Sequence, residues 1–244
     1  MAPGASLYGV KVLSSSGSGY QSWIIAGIDW ATANGPGTSK NIKAANMSLG
    51  GSGADNDKTC TEDLNTTDAY KKAICGSIAR GITYVVAAGN SNADLKGSVP
   101  AAYQDVLTVT ALSDSNGKPG GNGGSPSCRT SEKDDSPVTF SNYATATSKD
   151  ASHTIALPGV CIYSTWKGGG YNMISGTSMA SSHGAGMATL YLSNNPTATP
   201  AQVREKLRND AQVKDTDNGY RFAGDPNSSP TSQHYDYLGY AGGY

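Results

Sequence analysis

Short apolar runs rich in β-branched residues recur along the chain and alternate with longer segments. The runs lie at residues 7–13, 44–49, 83–88, 106–112 and 154–157. Several are apolar at nearly every position, which is typical of strands buried on both faces of a parallel sheet. The pattern therefore predicts five strands.

Helical periodicity occupies several of the intervening segments. The predicted helices cover residues 20–34, 67–81, about 178–194 and 200–210. Thr67 and Asp68 are placed to cap the start of the second helix, and Gly81 to end it. Alternating strands and helices predict an α/β fold, with helices flanking a mainly parallel sheet.

Chain length and net charge limit the possible domain organisation and binding partners. The 244 residues are expected to form a single domain, 1–244, with a surface loop at 113–137 and an irregular tail from about 215. The net charge is −1, without long runs of Lys or Arg, so we expect neither nucleic-acid nor anionic-membrane binding. No window approaches the roughly 18 apolar residues of a spanning helix, and residues 1–10 lack the features of a signal peptide.

The four cysteines suggest an oxidising environment. Cys60, Cys75, Cys128 and Cys161 lack metal-ligand spacing, so two disulfides in three connectivities are open, with four free buried thiols as the alternative. We favour the pairs Cys60–Cys75 and Cys128–Cys161, in which each bridge ties a loop to a neighbouring core element. Together with a composition rich in Ser, Thr, Asn and Gly, this predicts a secreted protein.

Candidate chemistry begins at Ser178, which follows Gly176 and Thr177 and opens a helix rich in small residues. Backbone N–H groups and the positive end of the helix dipole would favour negative charge developing beside this serine. The alternative is that Ser178 merely caps the helix. An interior glycine, Gly184, is expected to weaken the same helix.

Asn90 follows the predicted strand at 83–88, and the carboxyl ends of parallel strands are where such sheets bind ligands. Its amide N–H₂ is a neutral donor suited to an oxyanion. The alternative is an ordinary turn residue, because Gly-Asn is common in loops.

Three motifs, "GTSMA" (176–180), "AAGN" (87–90) and "NMSLGG" (46–51), occur in the order and rough spacing of the subtilisin-like serine proteases, or subtilases, which the chain resembles. The likeness covers most of residues 2–210. It implies a three-layer subtilisin-like fold and a serine endopeptidase that acts through a covalent acyl-enzyme.

The resemblance also implies roles for individual residues. Ser178 would be the acylating nucleophile and Asn90 the side-chain donor of the oxyanion hole, with the Ser178 N–H as second donor. Ser48, Leu49 and Gly50 would pair with an extended polypeptide substrate, and Ala87, Ala88 and Gly89 would wall the pocket for its side chain.

A base for Ser178 is missing from the sequence pattern. His183 lies five residues further along the helix, about 7.5 Å along its axis and on another face, so it is interpreted as structural. His153 and His234 are interpreted as surface residues. The Asp and His motifs of subtilases would both precede the segment that matches residues 2–13, so the domain is expected to be partial and truncated at its N-terminus.

The absent Asp strand would lie between the predicted strands at 7–13 and 44–49. Either these two strands pair directly in a rearranged sheet, or a complementing N-terminal segment supplies the missing strand together with the Asp and His. The second alternative is favoured because it delivers a base to Ser178. The isolated chain is expected to lack practical protease activity.

Two other functions were weighed against the peptidase. A catalytically inactive remnant or peptide-binding module would keep the substrate-binding edge without turnover. A dinucleotide-binding oxidoreductase would need G-x-G-x-x-G, but after Gly17 and Gly19 position 22 is Ser. No cofactor is certain: subtilases suggest structural calcium, and Asp105, Asp114 and the acidic residues of 132–135 could ligate it, although solvated surface charge is the simpler interpretation.

Overall fold

A computed structural model describes residues 1–118, 121–145, 147–215 and 237–244. Its α-helices are α1 (Gln21–Ala33), α2 (Ala69–Ala79), α3 (Thr177–Asn194) and α4 (Pro200–Asp215). Its strands are β1 (Ala44–Met47), β2 (Gly51–Ser52), β3 (Thr83–Ala87), β4 (Ser98–Val99), β5 (Leu107–Ser113), β6 (Ser136–Pro137), β7 (Thr154–Pro158), β8 (Ile162–Trp166), β9 (Gly170–Ile174) and β10 (Tyr237–Leu238). Short 3-10 helices occupy Leu95–Gly97, Lys149–His153 and Lys167–Gly169.

The central sheet is mainly parallel and confirms the α/β prediction. Its strands lie in the order β1, β3, β5, β7, β10, with every neighbouring pair parallel, and β6 adds an antiparallel partner to β5. The connection from β1 to β3 contains α2, and that from β7 to β10 contains α3 and α4. The connections from β3 to β5 and from β5 to β7 are long crossovers without an α-helix. No helix among the described residues has the length and apolar character needed to cross a membrane.

Side-chain alternation along β3 builds a core on each face of the sheet. Tyr84 and Val86 join a buried cluster that includes residues of α1 and α2. Val85 joins a second cluster, which includes residues of α3 and α4. Because successive residues of a strand face opposite sides, a fully apolar strand requires such a three-layer arrangement.

Antiparallel pairs outside this sheet were not predicted. β8 and β9 form a hairpin, and β2 pairs with β4. Most residues of the hairpin are exposed, so neither strand has the apolar pattern of a core strand.

The predicted irregular tail is wrong at residues 237–238, because β10 pairs with β7 at the end of the sheet. The Arg208 guanidinium lies 4.0 Å from the centre of the Tyr237 ring, which fixes the strand against α4. A strand of two residues is too short to show periodicity, so β10 could not be predicted from the hydrophobic pattern. His234 lies outside the described residues.

The prediction of a strand at residues 7–13 is also wrong. The segment belongs to no strand, and Leu7 is 92% exposed. Val10 and Val12 instead contact α1 at Gly27. No backbone hydrogen bond joins residues 7–13 to residues 44–49 in the described parts of the chain, so the rearranged sheet is not formed. Within the described ranges, β1 pairs only with β3.

The acidic residues of the 113–137 loop are not the solvated surface charges that were predicted. Glu132, Asp134 and Asp135 are all buried. Glu132 Oε2 accepts a hydrogen bond from the Thr139 N–H (3.0 Å), and Asp134 Oδ1 accepts one from the Ser115 N–H (2.7 Å). Backbone donors thus compensate the loss of water around these carboxylates.

Both predicted disulfides are confirmed, Cys60–Cys75 and Cys128–Cys161, and none of the cysteines is free. The predicted cap of α2 is confirmed as well. Asp68 Oδ1 accepts hydrogen bonds from the N–H groups of Tyr70 (2.9 Å) and Lys71 (3.2 Å). The first bridge therefore ties the loop before α2 to a helix whose start is separately fixed.

Gly184 lies where α3 packs closely on the sheet, which gives it a role beyond its low helix propensity. A Cβ there would lie 2.9 Å from methyl carbons of both Val85 and Val109. We therefore expect Gly184→Ala to lower the free energy of unfolding by about 1–2 kcal/mol, since overpacking outweighs the gain in helix propensity.

Gly76→Ala in α2 is the matched control. Nothing lies within 4 Å of a Cβ at Gly76, so this substitution should raise stability by about 0.5–1 kcal/mol. Urea unfolding of both variants measures the difference, and equal effects would show that the contact with the sheet is unimportant.

Candidate functional site

Ser178 lies in the first turn of α3 without capping it. The N-cap is Gly176, and the cap has no side-chain hydrogen bond. The alternative that Ser178 serves merely as the cap is therefore wrong. Its hydroxyl remains available, as the residue itself is only partly buried.

Ser48 is the immediate neighbour of Ser178. Ser178 Oγ donates a long hydrogen bond of 3.4 Å to the Ser48 carbonyl oxygen, and Ser48 Oγ donates one of 2.8 Å to the Ser178 carbonyl oxygen. Ser48 Oγ also lies 3.0 Å from Ser181 Oγ. These reciprocal bonds hold the segment after β1 against the first turn of α3.

Asn90 is fixed to the same turn through its side-chain oxygen. Asn90 Oδ1 accepts hydrogen bonds from the Thr177 N–H (2.9 Å) and from Thr177 Oγ1 (3.0 Å). Thr177 Oγ1 in turn accepts one from the Gly89 N–H at 3.1 Å. Because the oxygen end of the amide is occupied, its Nδ2 end lies beside Gly176, 3.6 Å from where a Cβ would stand.

A second donor in this turn is the backbone N–H of Ser178. The first four N–H groups of a helix have no acceptor within it. Those of Thr177, Met179 and Ala180 find acceptors in Asn90 Oδ1 and the Gly176 carbonyl oxygen. No acceptor for the Ser178 N–H is found among the described residues, so this group is available to an external acceptor beside Ser178.

The six residues predicted to bind substrate lie on the two chain segments beside Ser178. Ser48 and Gly50 are exposed and Leu49 is partly buried against the core cluster of α1 and α2. On the other segment, Ala87 and Ala88 are buried. Gly89 is only half-buried, so its backbone is the more accessible part of the second segment.

None of the histidines in the described residues reaches Ser178. His183 Nδ1 donates to the Met179 carbonyl oxygen at 3.0 Å, as expected of a structural residue. Burial lowers the pKa of His183 and outweighs the opposite effect of this hydrogen bond. The ring is therefore held by its own helix in a mainly neutral state at pH 7.

His153 is not the surface residue that was predicted, since it is 1% exposed. Its Nε2 lies 3.5 Å from Asp150 Oδ1. The residue immediately precedes β7, at the amino end of a parallel strand, whereas Asn90 follows the carboxyl end of β3. His153 therefore lies at the amino ends of the parallel strands, whereas Ser178 lies with Asn90 at their carboxyl ends.

The sequence reasoning missed Thr177 and Asn142 as structural parts of this site. Thr177 connects α3 to Asn90, and Asn142 contacts the loop that follows β3. Thr177 stands in "GTSMA" (176–180) and Asn142 in "FSNYA" (140–144), but neither short sequence shows which group the side chain contacts. Their partners lie 87 and 54 positions away, so local pattern could not show the bonds.

Three carboxylates form a group that could bind a metal ion. Asp114, Asp134 and Asp135 place ligand oxygens within 4.8 Å of one another. Asp105 and Glu132, the other predicted ligands, lie outside this group: Asp105 accepts a hydrogen bond from the Cys60 N–H at 2.6 Å and lies 3.6 Å from Arg204.

Backbone amides of the same loop already bind the grouped carboxylates. Burial raises the pKa of Asp134, but hydrogen bonds from Ser115 and Gly123 outweigh burial and lower it overall. Asp114 Oδ1 accepts a 2.6 Å hydrogen bond from the Gly117 N–H, and Asp135 Oδ2 one of 2.8 Å from the Gly121 N–H. Since these bonds account for the group, we assign no calcium to it.

The described geometry is that of a serine in the first turn of α3, to which Asn90 is bound through its side-chain oxygen. Comparison with known proteins identifies its class: the sequence model of the Subtilase family, Peptidase_S8, matches residues 1–229. The chain belongs to the subtilase family.

Several characterised relatives are similar over most of the chain. Subtilisin DY of Bacillus licheniformis is 37% identical over 214 residues, which are 86% of this chain and 62% of that protein. Alkaline serine exoprotease A of Vibrio alginolyticus is 37% identical over 203 residues, 83% of this chain and 30% of that protein. The chain thus spans less than two thirds of these relatives.

Solved structures agree with the fold. A cold adapted subtilisin-like serine proteinase superimposes with a TM-score of 0.63 at 32% identity, and Sphericase with 0.69 at 27%. In both cases the match covers 94% of this chain and 66% of the other. The subtilisin-like fold predicted from the sequence is confirmed.

Proposed function

We propose that the protein is a subtilisin-type serine endopeptidase that hydrolyses peptide bonds through an acyl-enzyme on Ser178. The observation that carries the proposal is that Ser178, whose N–H has no acceptor among the described residues, shares the first turn of α3 with Asn90, which is bound there through its Oδ1. The Ser178 N–H and Asn90 Nδ2 are proposed to donate to the oxyanion. Attack of Oγ on the scissile carbonyl carbon generates an oxyanion, and donors fixed in advance stabilise that charge without reorganisation. Expulsion of the amine leaves the acyl group on Ser178, and water then releases it.

An extended polypeptide is the proposed substrate. Ser48, Leu49 and Gly50 are proposed to pair with its backbone, and Ala87, Ala88 and Gly89 to wall the pocket for the side chain before the scissile bond. Their position on two segments beside Ser178 supports this assignment. Backbone pairing reads main-chain geometry more than sequence, which suits a general endopeptidase.

The proton on Ser178 Oγ requires a base, and the proposal places the catalytic His and Asp on a complementing polypeptide segment. Two observations support a segment at this position. β1 pairs only with β3, and residues 7–13 pair with no strand in the described part of the chain. A strand next to β1 would satisfy its free N–H and C=O groups as well as carry residues towards Ser178.

Catalytically inactive peptide binding is the second candidate. It is favoured by the absence of any ionisable side chain hydrogen-bonded to Ser178 Oγ among the described residues. Under this alternative, the segments beside Ser178 bind an extended peptide and release it unchanged.

Imidazole supplied as an external base separates the two candidates. If Ser178 and its donors are arranged for acyl transfer, a fluorophosphonate probe should label the isolated chain at Ser178 only slowly. Labelling should accelerate with imidazole and with pH as imidazole loses its proton. Without added base, practical peptide turnover is not expected, because donors and binding alone give at most about 10³- to 10⁴-fold over water.

Ser178→Ala is the matched control and should abolish labelling at every imidazole concentration. Circular dichroism establishes that both proteins are folded. A folded chain that binds peptide but forms no adduct at Ser178 under any of these conditions would support the binding module and contradict the peptidase.

The proposed location is extracellular. Two disulfides in a small domain support it, because such bridges persist mainly in oxidising compartments.

A further inference from the structure

Asn142 hydrogen-bonds to the loop that contains Asn90, both before and after that residue. Its Nδ2 donates a 3.0 Å hydrogen bond to the Ala88 carbonyl oxygen, two residues before Asn90. Its Oδ1 accepts hydrogen bonds from the N–H groups of Ser91 (3.0 Å) and Ala93 (3.1 Å), on the other side. One planar amide therefore fixes the backbone before and after Asn90.

Gly89 shows how closely the Asn142 side chain approaches this loop. Gly89 has a φ of +104°, and a Cβ there would lie 2.4 Å from Asn142 Nδ2. The Asn142 N–H also donates to the Gly89 carbonyl oxygen at 2.9 Å. The loop thus adopts a conformation that favours glycine and brings its backbone into direct contact with Asn142.

The hydrogen-bonding capacity of the Asn142 amide is fully used. Its second Nδ2 hydrogen reaches Ser98 Oγ at 3.0 Å, so two donors and two acceptor positions are all occupied. The residue is only 2% exposed, and unmade bonds there would not be replaced by water. Aspartate has the same shape but no donors when ionised, and alanine has neither donor nor acceptor.

We propose that Asn142 is a positioning residue for the oxyanion donor, acting through the backbone of Asn90. The proposal rests on the proposed function for the role of Asn90. Thr177 of α3 fixes the side-chain oxygen of Asn90, and Asn142 fixes the backbone on either side of Asn90. With both ends held, Nδ2 keeps one orientation, which is the preorganisation that makes such a donor effective.

The test compares Asn142→Ala and Asn142→Asp with Thr108→Val. Thr108 is buried, and its hydroxyl donates to the Ala101 carbonyl oxygen at 2.6 Å, so its replacement removes a buried hydrogen bond elsewhere in the sheet. The readouts are the ¹⁵N heteronuclear NOE of the Asn90 side-chain amide and urea unfolding.

Both Asn142 variants should lower the NOE of the Asn90 side chain, showing fast motion, whereas Thr108→Val should leave it unchanged. Imidazole-dependent labelling of Ser178 should fall in the Asn142 variants by about 10-fold or more, towards the 10²- to 10³-fold effect of losing an oxyanion donor. Lower stability with an unchanged Asn90 NOE would overturn the proposal.

The same measurements distinguish a failure of the proposed peptidase function from a failure of the positioning role of Asn142. If even the wild-type chain is never labelled at Ser178, the peptidase is contradicted, while the NOE still decides whether Asn142 orders Asn90. Should both Asn142 variants fail to fold, hydrogen exchange of the wild type decides instead. The N–H groups of Ser91 and Ala93 should exchange slowly despite lying in exposed residues, and fast exchange would overturn the positioning role.

Discussion

Replacing Lys71 with methionine should lower the free energy of unfolding by about 3–5 kcal/mol, the cost of breaking a buried ion pair from one side. Lys71 is 2% exposed. Its Nζ donates hydrogen bonds to Asp55 Oδ1 (2.7 Å), Asn56 Oδ1 (2.8 Å) and the Lys58 carbonyl oxygen (2.8 Å), and lies 3.5 Å from Asp63. The ammonium group thus organises the loop before α2.

The expected loss of stability arises mainly from the Asp55 carboxylate, which would remain buried without its partner. The Asp55 side chain is 3% exposed, and its Oδ2 has no hydrogen-bond partner among the described residues. Without the ammonium group, Asp55 would be a buried charge with little compensation. Methionine retains the apolar volume of the lysine stem. The decrease in the free energy of unfolding therefore measures the removal of the charge and not the creation of a cavity.

Lys72→Met is the control, since Lys72 is exposed in the same helix and should change stability by less than about 0.5 kcal/mol. Adding Asp55→Asn to Lys71→Met should recover part of the loss, because it removes the uncompensated charge. Urea unfolding measures all three proteins. Similar costs for Lys71→Met and Lys72→Met would show that the buried pair contributes little.

Apolar periodicity was sufficient for the central layers of the fold. Residues 83–88 and 106–112 were predicted as strands because their apolar positions are continuous, and β3 and β5 occupy these segments. Residues 7–13 have the same pattern but form no strand. A strand needs a hydrogen-bonded neighbour, and the pattern of one segment cannot show whether that neighbour is present.

Buried polar groups were the least predictable feature. Asp134 and His153 were both expected at the surface because isolated polar residues usually are. Asp134 is buried by accepting hydrogen bonds from Ser115 and Gly123, which the chain brings from 19 and 11 positions away. Such compensation depends on the folded loop and has no periodic signature.

The candidate site was predictable as far as short motifs extend. Ser178 and Asn90 follow from a helix start and a strand end, and the structure places both at one turn. Asn142 had no local signal, because its role consists entirely of bonds to a distant loop. The sequence thus identified groups suited to chemistry but not the residues that hold them.

The bridge Cys128–Cys161 should contribute more to stability than Cys60–Cys75. Its cysteines are 33 positions apart, against 15 for the other pair. In the chain-entropy model this corresponds to about 3.7 and 3 kcal/mol, because a longer closed loop restricts the unfolded chain more. We therefore expect the double variant Cys128→Ser with Cys161→Ser to lower the free energy of unfolding by about 3.7 kcal/mol.

The same bridge also adjoins the turn that leads to Ser178, so its loss should have a local effect. The Cys161 N–H donates to Ser175 Oγ at 3.0 Å, three residues before Ser178. Hydrogen exchange at residues 175–178 should therefore accelerate in the Cys128/Cys161 double variant but not in Cys60→Ser with Cys75→Ser.

Urea unfolding of the two double variants tests which disulfide contributes more to stability. A larger loss from the Cys60–Cys75 pair would contradict the loop-length argument, and unchanged exchange near Ser178 would show that Ser175 is held without the bridge.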